Sequence, residues 1–359
     1  MARAGVKHPT LRDVAALAGV SHQTVSRVIN ERSEVTPETR ARVESAIHEL
    51  GYHPYAIARS MARGRSSTLG CLAPNLTDFT YASIMEGAQS VAGQCGYYLL
   101  CAAFSDGSQF EALIEQLVRR RRVDGVIVIG PYLDNRHRVT FPSTVPFVLM
   151  GGCVRDDVRH LVYLDNRSAA VRATQHLLAL GHRCVAQITG PMAEDSSQER
   201  DWGFREALAM AGLAADPRLT VEGDWSATSG YRLAELLLQR DLRELTAIVS
   251  QNDRMAVGAI RAARDLGLGV PADLSVIGFD DMPLASYFDP PLTTMRQDTF
   301  AAGRACASLL MDLVDKPATG IERVRLVAEL VVRRSTAPAQ RKEVRKLAPS
   351  SLETQSVGR

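Results

Sequence analysis

Nowhere in its 359 residues does the chain run through the roughly eighteen consecutive apolar side chains that a membrane-spanning helix needs, so no membrane partner is expected. Its first residues also lack the apolar run of a secretory signal, because Arg12 and Asp13 interrupt it, and a cytoplasmic location is the expectation. The cysteines, at 71, 95, 101, 153, 184 and 306, include no CxxC pair, and no histidine cluster has metal-ligand spacing. Reduced thiols, no metal and no cofactor are therefore expected. Also missing are a GxGxxG after a strand, a GxxxxGK[ST] loop, a GxSxG elbow and an HExxH helix. These gaps remove the commonest dinucleotide, nucleotide, hydrolase and zinc-protease chemistries, and the chain is not expected to be an enzyme.

What is present is an uneven charge distribution. The net charge is only +2, yet residues 1–66 carry +4, residues 67–332 carry −7 and residues 333–359 carry +5. A basic terminus is often only a solubilising tail. On an acidic body, it also suits an anionic partner for that segment alone.

Thr10 and Asp13 have capping-box spacing, and Leu11, Val14, Ala15 and Ala18 recur at helical intervals until Gly19. Ser21 is a good N-cap for a second helix that places Val25, Val28 and Ile29 on one side. Thr36 and Pro37 open a third helix, with Val43, Ala46, Ile47 and Leu50 facing inward before Gly51. Three short helices sharing one core, the second joined to the first by a tight glycine turn, match a helix-turn-helix that enters a DNA major groove. Gln23 suits an adenine edge, Arg27 a guanine or a phosphate, and Ser21, Thr24 and Asn30 suit phosphates, while His22 fits either role. The competing reading is a solvated helix in a helical adaptor.

The segments "TLRDVAALAGVSHQTVSRVIN" and "VTPETRARVESAIHELGYHP" resemble, without a gap, the DNA-binding domain of the LacI/GalR family of bacterial transcription regulators. The resemblance assigns DNA contacts to Leu11, Ser21, His22, Gln23, Thr24, Ser26, Arg27, Asn30 and Tyr52, with His22 and Gln23 as the base-reading pair. It makes "YAIARSMARGRSST" a hinge helix that orders on operator DNA, with contacts from Ala58, Arg59 and Ala62, and with Met61 as the minor-groove wedge where Leu is usual. The implied partners are double-stranded, palindromic operator DNA, a carbohydrate-type effector and a second copy of the chain.

From Leu69 onward, strand-length apolar runs alternate with helical patterns: "LGCLAP", "YYLLCAA", "VDGVIVIG", "VPFVLMG", "HLVYLD", "CVAQITG", "LTAIVSQ" and "LSVIGFD". Such alternation implies parallel sheets covered by helices on both faces, and the number of units implies two lobes. The family order continues to about residue 336 through "HLLALGH", "EGDWSATSGY", "QNDRMAVGAI" and "PPLTTMRQD". The expected architecture is α/β. An N-terminal three-helix helix-turn-helix domain (1–54) and a hinge helix with linker (55–66) precede a two-lobed, periplasmic-binding-protein-like effector and dimerisation domain with parallel sheets (67–336). A disordered basic tail (337–359) is expected to follow.

The resemblance places Arg200, Asp280 and Asn252 at effector-contact positions, where a guanidinium, a carboxylate and an amide form a polyol clamp. Trp225 supplies an apolar face and Ser196 a donor. Asp78, Phe79, Tyr81 and Ile84 follow the first strand, and Gln297 and Arg254 complete the set. The galactoside-binding pattern of the family is broken at four places: Met150 replaces a carboxylate, Ser105 an arginine, Arg254 an amide and Thr299 a phenylalanine. Galactosides are therefore not the expected ligand. A neutral sugar leads. A sugar acid or sugar phosphate is the alternative if Arg254 brings its charge into the cleft instead of pairing with Asp253 or Asp281. A solute-binding protein or an enzyme using the clamp alone is the remaining reading. The tail has no sustained leucine heptad, which favours a homodimer.

Overall fold

The computed structural model describes residues 9–29, 34–52, 65–130, 145–154, 158–240, 245–316 and 320–340. The chain divides into two compact units, Met1–Ser67 and Thr68–Arg359.

In the first unit, α1 (Leu11–Ala18), α2 (His22–Ile29) and α3 (Pro37–Leu50) form as the caps dictate. The Asp13 carboxylate accepts from Thr10 N–H at 2.7 Å while Asp13 N–H donates back to Thr10 Oγ1 at 3.4 Å. Ser21 Oγ accepts from Thr24 N–H at 3.1 Å, and Thr36 Oγ1 from Thr39 N–H at 3.4 Å. Each such cap contributes about 1 kcal/mol to a helix too short to persist alone. Gly19 and Gly51 end α1 and α3 in the left-handed conformation. Val14, Ala15, Ala18, Val25, Val28, Val43, Ala46 and Tyr52 make the buried core, with Leu11, Ile29, Ile47 and Leu50 packed around it.

The second unit contains two six-stranded sheets. The first has the order β11-β5-β4-β3-β1-β2 and is parallel throughout. Its strands are β1 (Thr68–Ala73), β2 (Tyr98–Ala103), β3 (Gly125–Ile129), β4 (Phe147–Gly151), β5 (His160–Leu164) and β11 (Glu322–Leu326). The second has the order β12-β10-β9-β8-β6-β7, with β6 (Val185–Thr189), β7 (Thr220–Glu222), β8 (Ala247–Ser250), β9 (Ser275–Asp280), β10 (Thr293–Arg296) and β12 (Glu329–Val331). The sheet is parallel as expected except at its edge, where β12 runs antiparallel to β10. The edge strand β2 is less covered than the central strands, and Tyr98 on it is 76% exposed. The strands β7, β10, β11 and β12 lie outside the apolar runs named from sequence, being short or, like "ERVRL", alternating in polarity.

Helices α4 (Phe79–Gln94), α5 (Gly107–Ile114) and α10 (Thr299–Asp315) belong to the first lobe, and α6 (Asn166–Ala179), α7 (Asp195–Met210), α8 (Ala227–Gln239) and α9 (Asp253–Asp265) to the second. The chain passes from the first lobe to the second after β5, returns with α10 and passes across again between β11 and β12. Each lobe is therefore built from discontinuous pieces of sequence. The return is secured by a close crossing of α10 on α4, where a Cβ at Gly303 would lie 1.9 Å from Ile84 O and one at Gly87 2.1 Å from Phe300 O.

The cleft end of the second lobe is held by a buried polar cluster. Asp253, fully buried, accepts from Thr294 Oγ1 at 2.5 Å and from Met282 N–H at 2.8 Å. Asp281 pairs with Arg296 at 2.7 Å and with Arg333 at 2.6 Å. The turn they fix carries Asp280 and Asp281 at φ values of 118° and 57°, a strained conformation for non-glycine residues. Burial pushes the Asp253 carboxyl up to about 7 against the pull of its Thr294 and Met282 hydrogen bonds.

Two predictions follow from this packing. Gly303→Ala is expected to lower unfolding stability by about 3 kcal/mol in urea melts, because backbone must move. Gly93→Ala, with only the end of the Gln89 side chain near its Cβ, should stay within about 1 kcal/mol of the wild type. Asp253, protonated in the fold up to about pH 7 and titrating near 4 when unfolded, contributes stability at low pH that is lost as pH rises through about 7. Urea midpoints measured across about pH 4 to 7 should therefore decline less steeply for Asp253→Asn than for the wild type; parallel profiles would exclude this origin.

Candidate functional sites

In α2, Val25 and Val28 are buried and Ile29 is half-buried, which turns His22, Gln23 and Arg27 outward as exposed side chains. Gln23 and Arg27 are one helical turn apart and share a face. Arg27 Nε lies 3.6 Å from Glu34 Oε2, with the two side chains 49% and 62% exposed. Such a pair is weak, and a phosphate or a guanine edge competes with it readily. The Ser21 and Thr24 hydroxyls bond each other at 2.9 Å and Ser21 Oγ caps the helix, so both have local roles beside any phosphate contact. Ser26 and Leu11 are half-buried. Tyr52 is only 6% exposed, and its ring is a core element. Asn30, Ala58, Arg59, Met61 and Ala62 lie outside the described residues.

Between the two lobes of the second unit lies a cavity at the carboxyl ends of the strands, the usual ligand position of open α/β sheets. Of the residues expected there, Asp78, Tyr81, Ile84, Ser196, Arg200, Trp225, Asn252, Asp280 and Gln297 line it together. Phe79 and Arg254 are not among its lining residues. Ser105 and Thr299 are also outside it; Thr299 Oγ1 donates to Ser83 Oγ at 2.8 Å. Met150 does line the wall, as an apolar surface.

At the centre is Arg200. It is buried, yet its Nε donates to Asn166 Oδ1 at 2.8 Å and its Nη1 to Gln251 O. Its guanidinium carbon stands 3.7 Å from the Phe279 ring centroid and 5.7 Å from that of Trp225. Burial lowers it to about 10 while Asp280 and Glu194 oppose the shift, so the group is cationic at neutral pH. Asp280 is driven well above the usual carboxylate range by burial, with Arg200 opposing, and Gln297 Nε2 donates to its Oδ1 at 2.5 Å.

Trp225 sits at φ 67° with its ring over Gly190, where a Cβ would lie 2.1 Å from ring carbon, and its Nε1 donates to Glu194 Oε1 at 3.0 Å. Asn252 donates through Nδ2 to Trp225 O at 3.0 Å and caps α9 by accepting from Met255 N–H at 2.8 Å. The clamp expected of Asn252 is thus partly spent on holding Trp225. The alternatives for Arg254 are corrected: its guanidinium pairs at 3.1 Å with Asp78, across the cleft, and not with Asp253 or Asp281, which are engaged elsewhere.

Sequence reasoning missed Asn166, Glu194 and Gln251. Each follows a strand directly or opens a helix, and that position was the available signal. The assembled chemistry is a flat indole, a guanidinium and a carboxyl with fixed partners, which suits a small ring bearing hydroxyls. Among the described residues, no group of acidic, histidine and cysteine side chains could hold a metal, and no helix is long and apolar enough to cross a membrane.

Both units match known protein families. Residues 10–55 match the model of bacterial regulatory proteins of the lacI family, and residues 174–336 that of a periplasmic binding protein-like domain. The HTH-type transcriptional repressor CytR of Escherichia coli K12 is 32% identical over 91% of this chain and 96% of its own length. The ribose operon repressor of the same organism is 35% identical over 91% and 99%. A crystal structure of the lac repressor dimer, bound to operator and the anti-inducer ONPF, superposes with a TM-score of 0.84 at 33% identity, covering 92% of this chain and all of that one. With matches of this extent, the chain belongs to the LacI family of bacterial regulatory proteins and is a DNA-binding transcriptional regulator.

Proposed function

We propose that the protein is a cytoplasmic repressor of carbohydrate-metabolism genes, acting as a homodimer on a palindromic operator and controlled by a sugar-type effector, with no catalytic role. The observation that carries this reading is the pairing of an outward reading edge on α2 with an inter-lobe cavity built around Arg200, Asp280 and Trp225. A two-fold dimer presents two copies of α2 to half-sites about 34–36 Å apart, one helical turn. His22 and Gln23 read bases, Arg27 reaches a guanine or a phosphate, and Ser21, Thr24 and Ser26 set the register. Residues 1–54 then read DNA, 55–66 serve as the hinge and 67–336 bind effector and partner; the disordered basic tail expected from 337 is corrected at its start, where Ala337 N–H donates to Ser275 Oγ at 3.1 Å and Ala339 N–H to Leu180 O at 2.8 Å, and residues 341–359 lie outside the described ones. The roles of Asn30, Tyr52, Ala58, Arg59, Met61 and Ala62 rest on the sequence resemblance.

In the cleft, Trp225 offers its face to a sugar ring, Arg200 donates to hydroxyls and Asp280 accepts from them. The effector changes operator affinity only through a difference between the states it binds, and that coupling is reciprocal.

The tests address the two sites separately. Gln23→Ala is expected to weaken specific operator binding ~10–100-fold at fixed salt, with binding to unrelated DNA unchanged; equal loss on both DNAs would remove Gln23 from base reading. In a thermal-shift screen of sugars, the best ligand should lose ~100-fold in affinity in Asp280→Asn, while effector-free operator binding stays at the wild-type level. Operator affinity identical with and without every sugar that binds would refute control by the cleft.

A further inference from the structure

The Asp78–Arg254 ion pair joins the two lobes across the cleft mouth, and its consequence for the ligand rests on the effector-cleft reading above. Asp78 stands at the N-terminus of α4, where its Oδ1 caps the helix by accepting from Thr80 N–H at 2.9 Å. It is itself positioned by Asn75, whose Oδ1 accepts from Asp78 N–H at 2.8 Å and from Thr77 N–H at 3.1 Å. The second carboxylate oxygen faces Arg254 Nη1 at 3.1 Å. Arg254 is in the first turn of α9, and its side chain is 43% exposed while that of Asp78 is 20% exposed. The carboxylate is thus the fixed member and the guanidinium the adjustable one.

We infer that this pair is a charge filter: it cancels the Arg254 cation, which would otherwise recruit anionic ligands at the cleft mouth, and so selects neutral polyols against sugar acids and sugar phosphates. Among the described residues lining the cavity, Arg200 is the only cation, against the carboxyl groups of Asp78, Glu194 and Asp280. Arg200 is committed to Asn166 Oδ1, Gln251 O and the Phe279 ring, with Glu194 and Asp280 beside it on the cavity wall. Arg254 is matched by Asp78. No positive charge is left over for an incoming anion. The first-lobe wall offers Ile84, Ile129, Met150 and Leu164, apolar side chains without donors for a carboxylate or phosphate. An anionic substituent on that side meets hydrocarbon, the Thr80 and Tyr81 hydroxyls or Asp78, and no cation among the described lining residues.

The test removes the carboxylate and keeps the cap. Asp78→Asn retains an N-cap residue of high preference while leaving Arg254 without its counter-charge. Calorimetric titration with inorganic phosphate, and with D-glucuronate against D-glucose as a size-matched pair, reads the outcome. Expected are no saturable phosphate or glucuronate binding to the wild type, a gain of at least about tenfold for both anions in Asp78→Asn that weakens with added salt, and its loss in Asp78→Asn/Arg254→Gln. The ratio of glucuronate to glucose affinity should rise at least about tenfold in Asp78→Asn and fall back in Asp78→Asn/Arg254→Gln, and an unchanged ratio would overturn the filter. Wild-type protein that takes up either anion as well as the variant does would overturn the filter, as would an Asp78→Asn variant without the gain. The phosphate arm decides this even if no sugar binds, and that separate result would count against the carbohydrate reading alone.

Discussion

A cation taken out of water is the constraint around which the effector lobes are organised. Left unpaired, a buried guanidinium costs several kcal/mol, so Arg200 persists only because its surroundings replace lost water. Asn166 and the Gln251 carbonyl accept from it, Phe279 presents an aromatic face, and Asp280 and Glu194 oppose its charge. These partners come from the ends of separate strands. Satisfying one side chain therefore fixes the positions of β5, β8 and β9 relative to α7, which is the geometry a ligand meets.

The same requirement spreads to the second layer. Gln251 accepts from Gly190 N–H at 3.0 Å and donates to Ser197 O at 3.1 Å, tying the loops after β6 and β8 to α7. Gly190 in turn leaves room for Trp225, which Glu194 and Asn252 hold at its nitrogen and its carbonyl. Polar groups that sequence alone suggests as ligand contacts thus spend part of their bonding capacity on the protein. Pre-organisation of this kind leaves the ligand little rearrangement to impose. In the first unit the division of labour is simpler: Val25 and Val28 anchor α2, and the outward His22, Gln23 and Arg27 have no packing duty.

Much of this was legible before any coordinates. Caps at Thr10, Ser21 and Thr36, with the terminating glycines, act within one helical turn and depend on neighbours in sequence. The central strands apart from β10, whose sequence is TTMR, were read as apolar runs because both faces are covered. Three of the four edges were not legible: β7 and β12 are three residues each and β11 alternates in polarity, whereas β2 was read as an apolar run and only its exposure was not. An edge strand has only one neighbour and no uniform burial, so it leaves no distinctive pattern.

The candidate site divides along the same line. The amino-acid sequence by itself determined the helix-turn-helix, the strand–helix alternation and the residue types near the strand ends, because these follow from local periodicity and capping. Tertiary structure alone decided how those residues are used. Arg254 meets Asp78, 176 positions away, instead of the nearby acids considered for it, and Arg200 meets partners 34 and 51 positions away. The physical reason is that a side chain's charge and hydrogen-bonding capacity are local properties, whereas its partner depends on which chain segments the sheets and their crossovers bring to one cleft.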